Sequence, residues 1–171
     1  MFFAVFSLLI SSLLNSPDID GWVSVERPPT SIPFEHVGEE DDSSIWVLFS
    51  KKVGEESFMA RFPEDPQYTY LSPGEVEVTA AKEGALHRLT VLEGSQETLV
   101  QKAGEIASRS DILLVEAVRT SPDTFDCLYQ SEGKWVWTHL HATPHHLYIL
   151  ETQSDTLQGD NHHYFVSSLK F

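Results

Sequence analysis

The chain has 171 residues, 41% of them apolar and 22% charged, which suits a single domain with its own core and excludes disorder over the whole length. Its formal charge of −15 repels phosphate backbones and anionic lipid, which are bound by clustered Lys and Arg, so the composition argues against nucleic-acid binding and leaves room for a basic protein partner or a cation. One cysteine, Cys127, excludes an intrachain disulfide, a zinc ribbon and a redox Cys-x-x-Cys site.

Residues 1–16 begin with the apolar run MFFAVFSLLISSLL, too short to cross a bilayer and of the length of a secretory h-region. Export is therefore expected, with the mature chain starting near residues 12–18. Two features depart from the usual pattern. No Lys or Arg precedes the run, and Ser16, a small residue at a candidate cleavage point, is followed by Pro17. A packed amphipathic helix is the alternative. No stable transmembrane anchor is expected.

Residues 17–44 read as a Pro-rich acidic arm or linker. Pro17, Pro28, Pro29 and Pro33 exclude helix and interior strand, leaving Trp22, Val23 and Val25 as a possible short edge strand. Glu39, Glu40, Asp41 and Asp42 concentrate charge here. Residues 17–83 carry 15 acids against 5 bases, and residues 84–171 carry 11 against 6. The acidic run is either a solvated loop or a rim that steers a basic partner.

Regular signals run from residue 45 to residue 171. Residues 45–51 and 57–62 are strand candidates, the second with Phe58, Ala60 and Phe62 on one face and Pro63 as its stop. Pro73-Gly74 marks a turn. Residues 76–81 and 86–92 form a hairpin around Lys82-Glu83-Gly84. Residues 95–110 are the one clear helix, capped by Ser95, with Leu99, Val100, Ala103, Ile106 and Ala107 as an apolar stripe that should pack on the sheet. Residues 112–119 follow, then strands over 124–130, 134–142 and 145–152, with turns at Ser131-Glu132-Gly133 and Thr143-Pro144. Residues 155–171 are expected to be mostly helical, with Tyr164, Phe165, Leu169 and Phe171 clamping that end onto the sheet. The reading is an antiparallel α+β meander of six to seven strands flanked by helices.

This order of elements carries a resemblance. The run Phe58–Pro63 has the form F-x-x-x-F-P, and the chain ends in Ser-Ser-Leu-Lys-Phe. With the hairpin, helix and strands between them, these motifs make residues 45–171 resemble the PsbP-like superfamily. That group includes the extrinsic photosystem II protein, a Ran-binding relative and bacterial envelope proteins whose last helix ends in an S-F-K-F-type motif. Leu169 stands here where such members have an aromatic. The resemblance implies that Phe58, Phe62 and Tyr164 are core. It also implies a non-catalytic docking or assembly role in the periplasm or cell envelope. It names no partner, since function belongs to a site and not to a fold.

Motifs for chemistry are few. There is no Gly-rich phosphate loop, no G-x-S-x-G and no H-E-x-x-H. Histidine is the exception, with six of the eight in the last 33 residues. On a strand, Trp135, Trp137, His139 and His141 project to one side. A hairpin over residues 134–152 would bring His145 or His146 near His141, with Glu151 as a further donor. Neutral imidazoles suit Zn or Cu. The alternatives are a polar, aromatic sheet face that binds no metal, or one that charges at acidic pH. Trp135 and Trp137 are either core or interface anchors. A non-catalytic exported binding protein is thus the first expectation, with no cofactor. A metal-binding protein using His139, His141, His145 and His146 is the second.

Overall fold

A computed structural model describes residues 46–64, 66–157 and 160–171. The signal-like segment, Trp22 and the acidic run Glu39–Asp42 lie outside the described residues, as does the export expectation that rests on them. The strands are β1 (Val47–Val53), β2 (Glu56–Phe62), β3 (Gln67–Ser72), β4 (Glu75–Lys82), β5 (Ala85–Glu93), β6 (Ile112–Ser121), β7 (Thr124–Ser131), β8 (Lys134–Ala142) and β9 (His146–Ser154). The helices are α1 (Gln96–Ser108) and α2 (Asp160–Ser167). No helix among the described residues is long and apolar enough to cross a membrane.

Strands β3 to β9 form one antiparallel sheet in the order β3-β4-β5-β9-β8-β7-β6, and β1 pairs with β2 as a separate hairpin. The α+β antiparallel expectation holds, with two additions. β3 occupies a stretch between Pro66 and Pro73 to which the sequence assigned no element. The chain also crosses through α1 from β5 to the far edge, so that β9 returns to pair with β5. Two-residue turns fix the local hairpins. Glu83-Gly84 and Glu132-Gly133 both take left-handed φ angles of 52° and 79°, the geometry that matches strand twist.

The two faces of the sheet are covered differently. On the helix side, the side chain of Ser95 accepts from the Glu97 amide and the Ser95 amide donates to Thr98 Oγ1, starting α1 at the expected cap. The α1 stripe then buries Leu99 and Ala103 against Phe125, Cys127, Tyr129, Val136, Leu140, Ala142 and Leu147. Cys127 is a small buried hydrophobe there, its thiol pushed up to about 12 by burial, which makes it unreactive. On the opposite face, the histidine side, the β1–β2 hairpin and α2 close a second core. It holds Phe58, Ala60, Phe62, Val76, Val78, Leu89, Val91, Tyr148, Leu150 and Phe165.

The chain end departs from the sequence reading. Of the described residues in that stretch, only 160–167 are helical. Lys170 then forms a backbone bridge with Met59, with hydrogen bonds of 2.8 and 2.9 Å. Phe165 is fully buried and Leu169 packs on the core, as expected of a clamp. Tyr164 is not core: it stays 43% exposed, because it lies on the outer side of α2 from Phe165 and only edges against Trp46.

Candidate functional site

Directly opposed residues of antiparallel strands share a face, so strand registers map the histidine side row by row. Across β6, β7, β8 and β9 the rows run Leu113, Gln130, Trp135, Ser154; then Glu116, Leu128, Trp137, Thr152; then Val118, Asp126, His139, Leu150. His141 lies opposite Thr124 and Tyr148 in the row beyond. From β9 the rows continue onto β5 and β4 through His87, Leu89 and Val91 to Ala80, Val78 and Val76.

That face grades from dry to wet. Tyr148, Leu150, Leu89 and Val78 are fully buried beneath the hairpin and α2. Trp135, Trp137 and Leu128 are half-buried. At the β6 edge Leu113 and Val118 are 59% and 40% exposed. The tryptophans therefore fit neither reading from sequence alone. They form a band between the closed core and an open apolar margin.

His139 and His141 stand at the boundary and His87 and His162 are buried beneath the cover, each with a partner. His139 Nδ1 donates to Asp126 Oδ1 over 2.7 Å. Burial pushes the Asp126 carboxyl up, but the bonds from His139 and Thr120 reverse this and hold it below the ordinary carboxylate range. His141 stacks on Phe171 at 4.9 Å and on His139 at 6.4 Å. Burial, then the neighbouring His139, lowers its pKa. His162 stacks on Trp137, and its Nδ1 meets Thr152 Oγ1 at 3.0 Å, while His87 Nδ1 meets the same hydroxyl at 3.1 Å. Burial depresses these two imidazoles to about 3 and about 4.

His146 belongs to a different cluster. One oxygen of Glu56, at the start of β2, accepts from Thr143 Oγ1 at 2.8 Å, His146 Nδ1 at 3.0 Å and the Tyr148 hydroxyl at 3.2 Å. Burial raises the Glu56 carboxyl, and the three donors outweigh that and hold it low. Gly54, with φ of +58°, turns the hairpin directly above His146, where an added Cβ would lie 3.4 Å from the imidazole. This knot ties the hairpin to the β8–β9 bend.

The expected metal quartet is thus divided. His139 and His141 lie side by side, His145 is exposed in the bend, and His146 is committed to Glu56. Glu151 faces the helix side, opposite Thr138 and Arg88, away from the histidines. Among the described residues no three His, Cys, Asp or Glu side chains converge as a metal-holding group.

Four contributors were missed by sequence reasoning. Asp126 was legible: counting back from the Glu132-Gly133 turn pairs it with His139. Glu56 was not, since 90 residues separate it from His146. Leu113 and Val118 fell in the run 112–119, with no sign of which side stays uncovered.

A polar basin of about 160 Å³ lies on the helix side, beside the C-terminal end of α1. Arg88 spans Glu77 and Glu151 there, at 3.4 Å each, and Tyr129 reaches Glu151 at 3.4 Å. These long ion pairs make a solvated charge ladder, worth at most about 1 kcal/mol per pair.

Comparison with known proteins adds a likeness of shape. No family model and no curated protein matches the chain. Among solved structures it is similar to the solution structure of cyanobacterial PsbP (CyanoP) from Synechocystis sp. PCC 6803. The two are 13% identical, with a TM-score of 0.47, over 81% of this chain and 98% of that one.

Proposed function

We propose that this protein is a non-catalytic, exported binding protein of the cell envelope that docks a protein partner on the open part of its histidine side. The observation that carries the reading is the exposed pair Leu113 and Val118 at the β6 edge, continued inward by the half-buried Leu128, Trp135 and Trp137. Aromatic and aliphatic anchors beside a polar rim are what partner surfaces are built from. The charge of −15, to which Glu39, Glu40, Asp41 and Asp42 contribute, favours a basic partner and speeds its approach.

The test is site-specific photo-crosslinking in the cells that make the protein. A benzophenone side chain placed at Val118 should give one dominant adduct, and the same group at Thr79, which faces the helix side, should give none. The adduct should vanish when Trp137→Ala is added. Equal adducts from both positions, or none from Val118, would sink the reading.

A second reading is metal capture by His139 and His141. The bond from His139 Nδ1 to Asp126 favours it, because a carboxylate on one ring nitrogen leaves the other as the ligand. Calorimetric titration with Zn²⁺ and Cu²⁺ tests it. Micromolar binding that disappears in a His139→Ala/His141→Ala variant supports it, and binding unaffected by that variant removes it.

A further inference from the structure

We propose that β6 receives an extended, positively charged segment of the partner as an eighth strand of the sheet. This rests on the docking reading above and adds how the partner is held.

The sheet has two edges, and they differ. β3 has six residues, and Lys51 from the neighbouring hairpin sits over its Tyr68 and Tyr70 rings at 4.4 and 4.9 Å. A lysine at a strand edge is a common guard against pairing. β6 has ten residues and pairs only with β7 among the described residues. Its one cation, Arg119, is turned back onto the carbonyls of Ser121 and Pro122, at 3.3 and 2.7 Å. Register shifts lie at Val115 and Thr120, so residues 116–119 form the regular stretch on which a new strand would align.

The chemistry of the incoming strand follows from the rows. Opposed residues share a face, so its side chains would extend the rows that begin at Glu116 and Val118. Exposed Glu116 calls for a cation opposite it. Val118, two residues on, calls for an apolar side chain that continues over the margin toward the tryptophans. A second copy of this chain fits poorly, because it would bring another −15 charge. A segment of the form cation-x-apolar, from a basic partner, matches both rows.

The experiment uses the full chain and a capped peptide of the length of β6, with Thr at alternate positions and Lys or Val between. The expected result is slowed amide exchange confined to residues 112–121, with a shift in tryptophan emission. Replacing Glu116 by Gln should weaken binding about fivefold without changing the melting temperature. The same peptide with Glu in place of Lys should give no protection. Absence of protection in β6, or equal protection by the two peptides, would overturn the proposal. If protection is absent while crosslinks from Val118 persist, docking stands and strand addition falls. If the crosslinks are also absent, the docking reading itself has failed.

Discussion

The two halves of the histidine side are continuous in hydrogen bonding yet opposite in what lies above them. Over β4, β5 and β9 the sheet is closed by the hairpin and α2, and its side chains are buried at or near 0% exposure. Toward the β6 edge that cover ends among the described residues, and Leu113 and Val118 reach solvent. Alternation alone therefore marks which side chains share a face and not whether that face is core. His139 and His141 sit where the two halves meet, because a polar aromatic tolerates apolar packing on one flank and water or a carboxylate on the other.

The largest expected contrast is in stability. Phe165→Ala, which empties the closed half, should cost about 3–5 kcal/mol, read by denaturant unfolding. Val118→Ala, on the open half, should stay within about 0.5 kcal/mol. A comparable loss at both positions would erase the distinction.

Acid should act next, and on the closed half. His87 and His162 have folded pKa values of about 4 and about 3, against an ordinary 6.5. Between those limits the unfolded chain binds protons that the folded chain refuses, so stability is full above about pH 6.5. It is lost as pH falls toward about 4 and levels off below the folded values. His87 alone should contribute a loss of the order of 3 kcal/mol. A melting temperature that does not change between pH 7 and pH 4 would mean that these imidazoles are solvated, and that α2 does not seal this half.

Glu56→Gln is smaller. It leaves His146, Thr143 and Tyr148 competing for a neutral amide and should cost about 2 kcal/mol, measured by thermal unfolding at neutral pH. In the wild-type chain the low Glu56 pKa adds stability that is present above the ordinary carboxylate value and lost as pH falls through the folded one. The Gln variant should lose that acidic limb of the stability profile.

A further substitution has a modest effect on the fold and is the most informative about function. Trp137→Ala should change stability by only about 1–2 kcal/mol, since the ring is half-buried. It should nonetheless remove the crosslink from Val118. Retention of the crosslink would move the docking surface off the tryptophan band.

Much of this was legible locally. Ser95 as cap, the α1 stripe, the Glu-Gly turns and the burial of Phe58, Ala60 and Phe62 all follow from short-range rules. Even the Asp126–His139 pair follows, once a two-residue turn sets the register. β3 did not, because five of its six residues are exposed and prolines bracket it, so the usual alternation in burial is missing. The chain end failed for another reason. Residues 168–171 are drawn into a bridge with β2, more than 100 residues away, and that pairing overrides helix propensity.

By itself the sequence determined an acidic chain, an antiparallel α+β domain, its strand faces and the grouping of Trp135, Trp137, His139 and His141 on one side. Those properties depend on composition, on the period of two and on turns of two residues, all of which act within a few positions. Only the tertiary structure decided that His146 serves Glu56, that Glu151 faces away, and that the hairpin and α2 stop short of β6. These depend on how distant segments share a limited area of sheet, and no spacing along the chain carries that information.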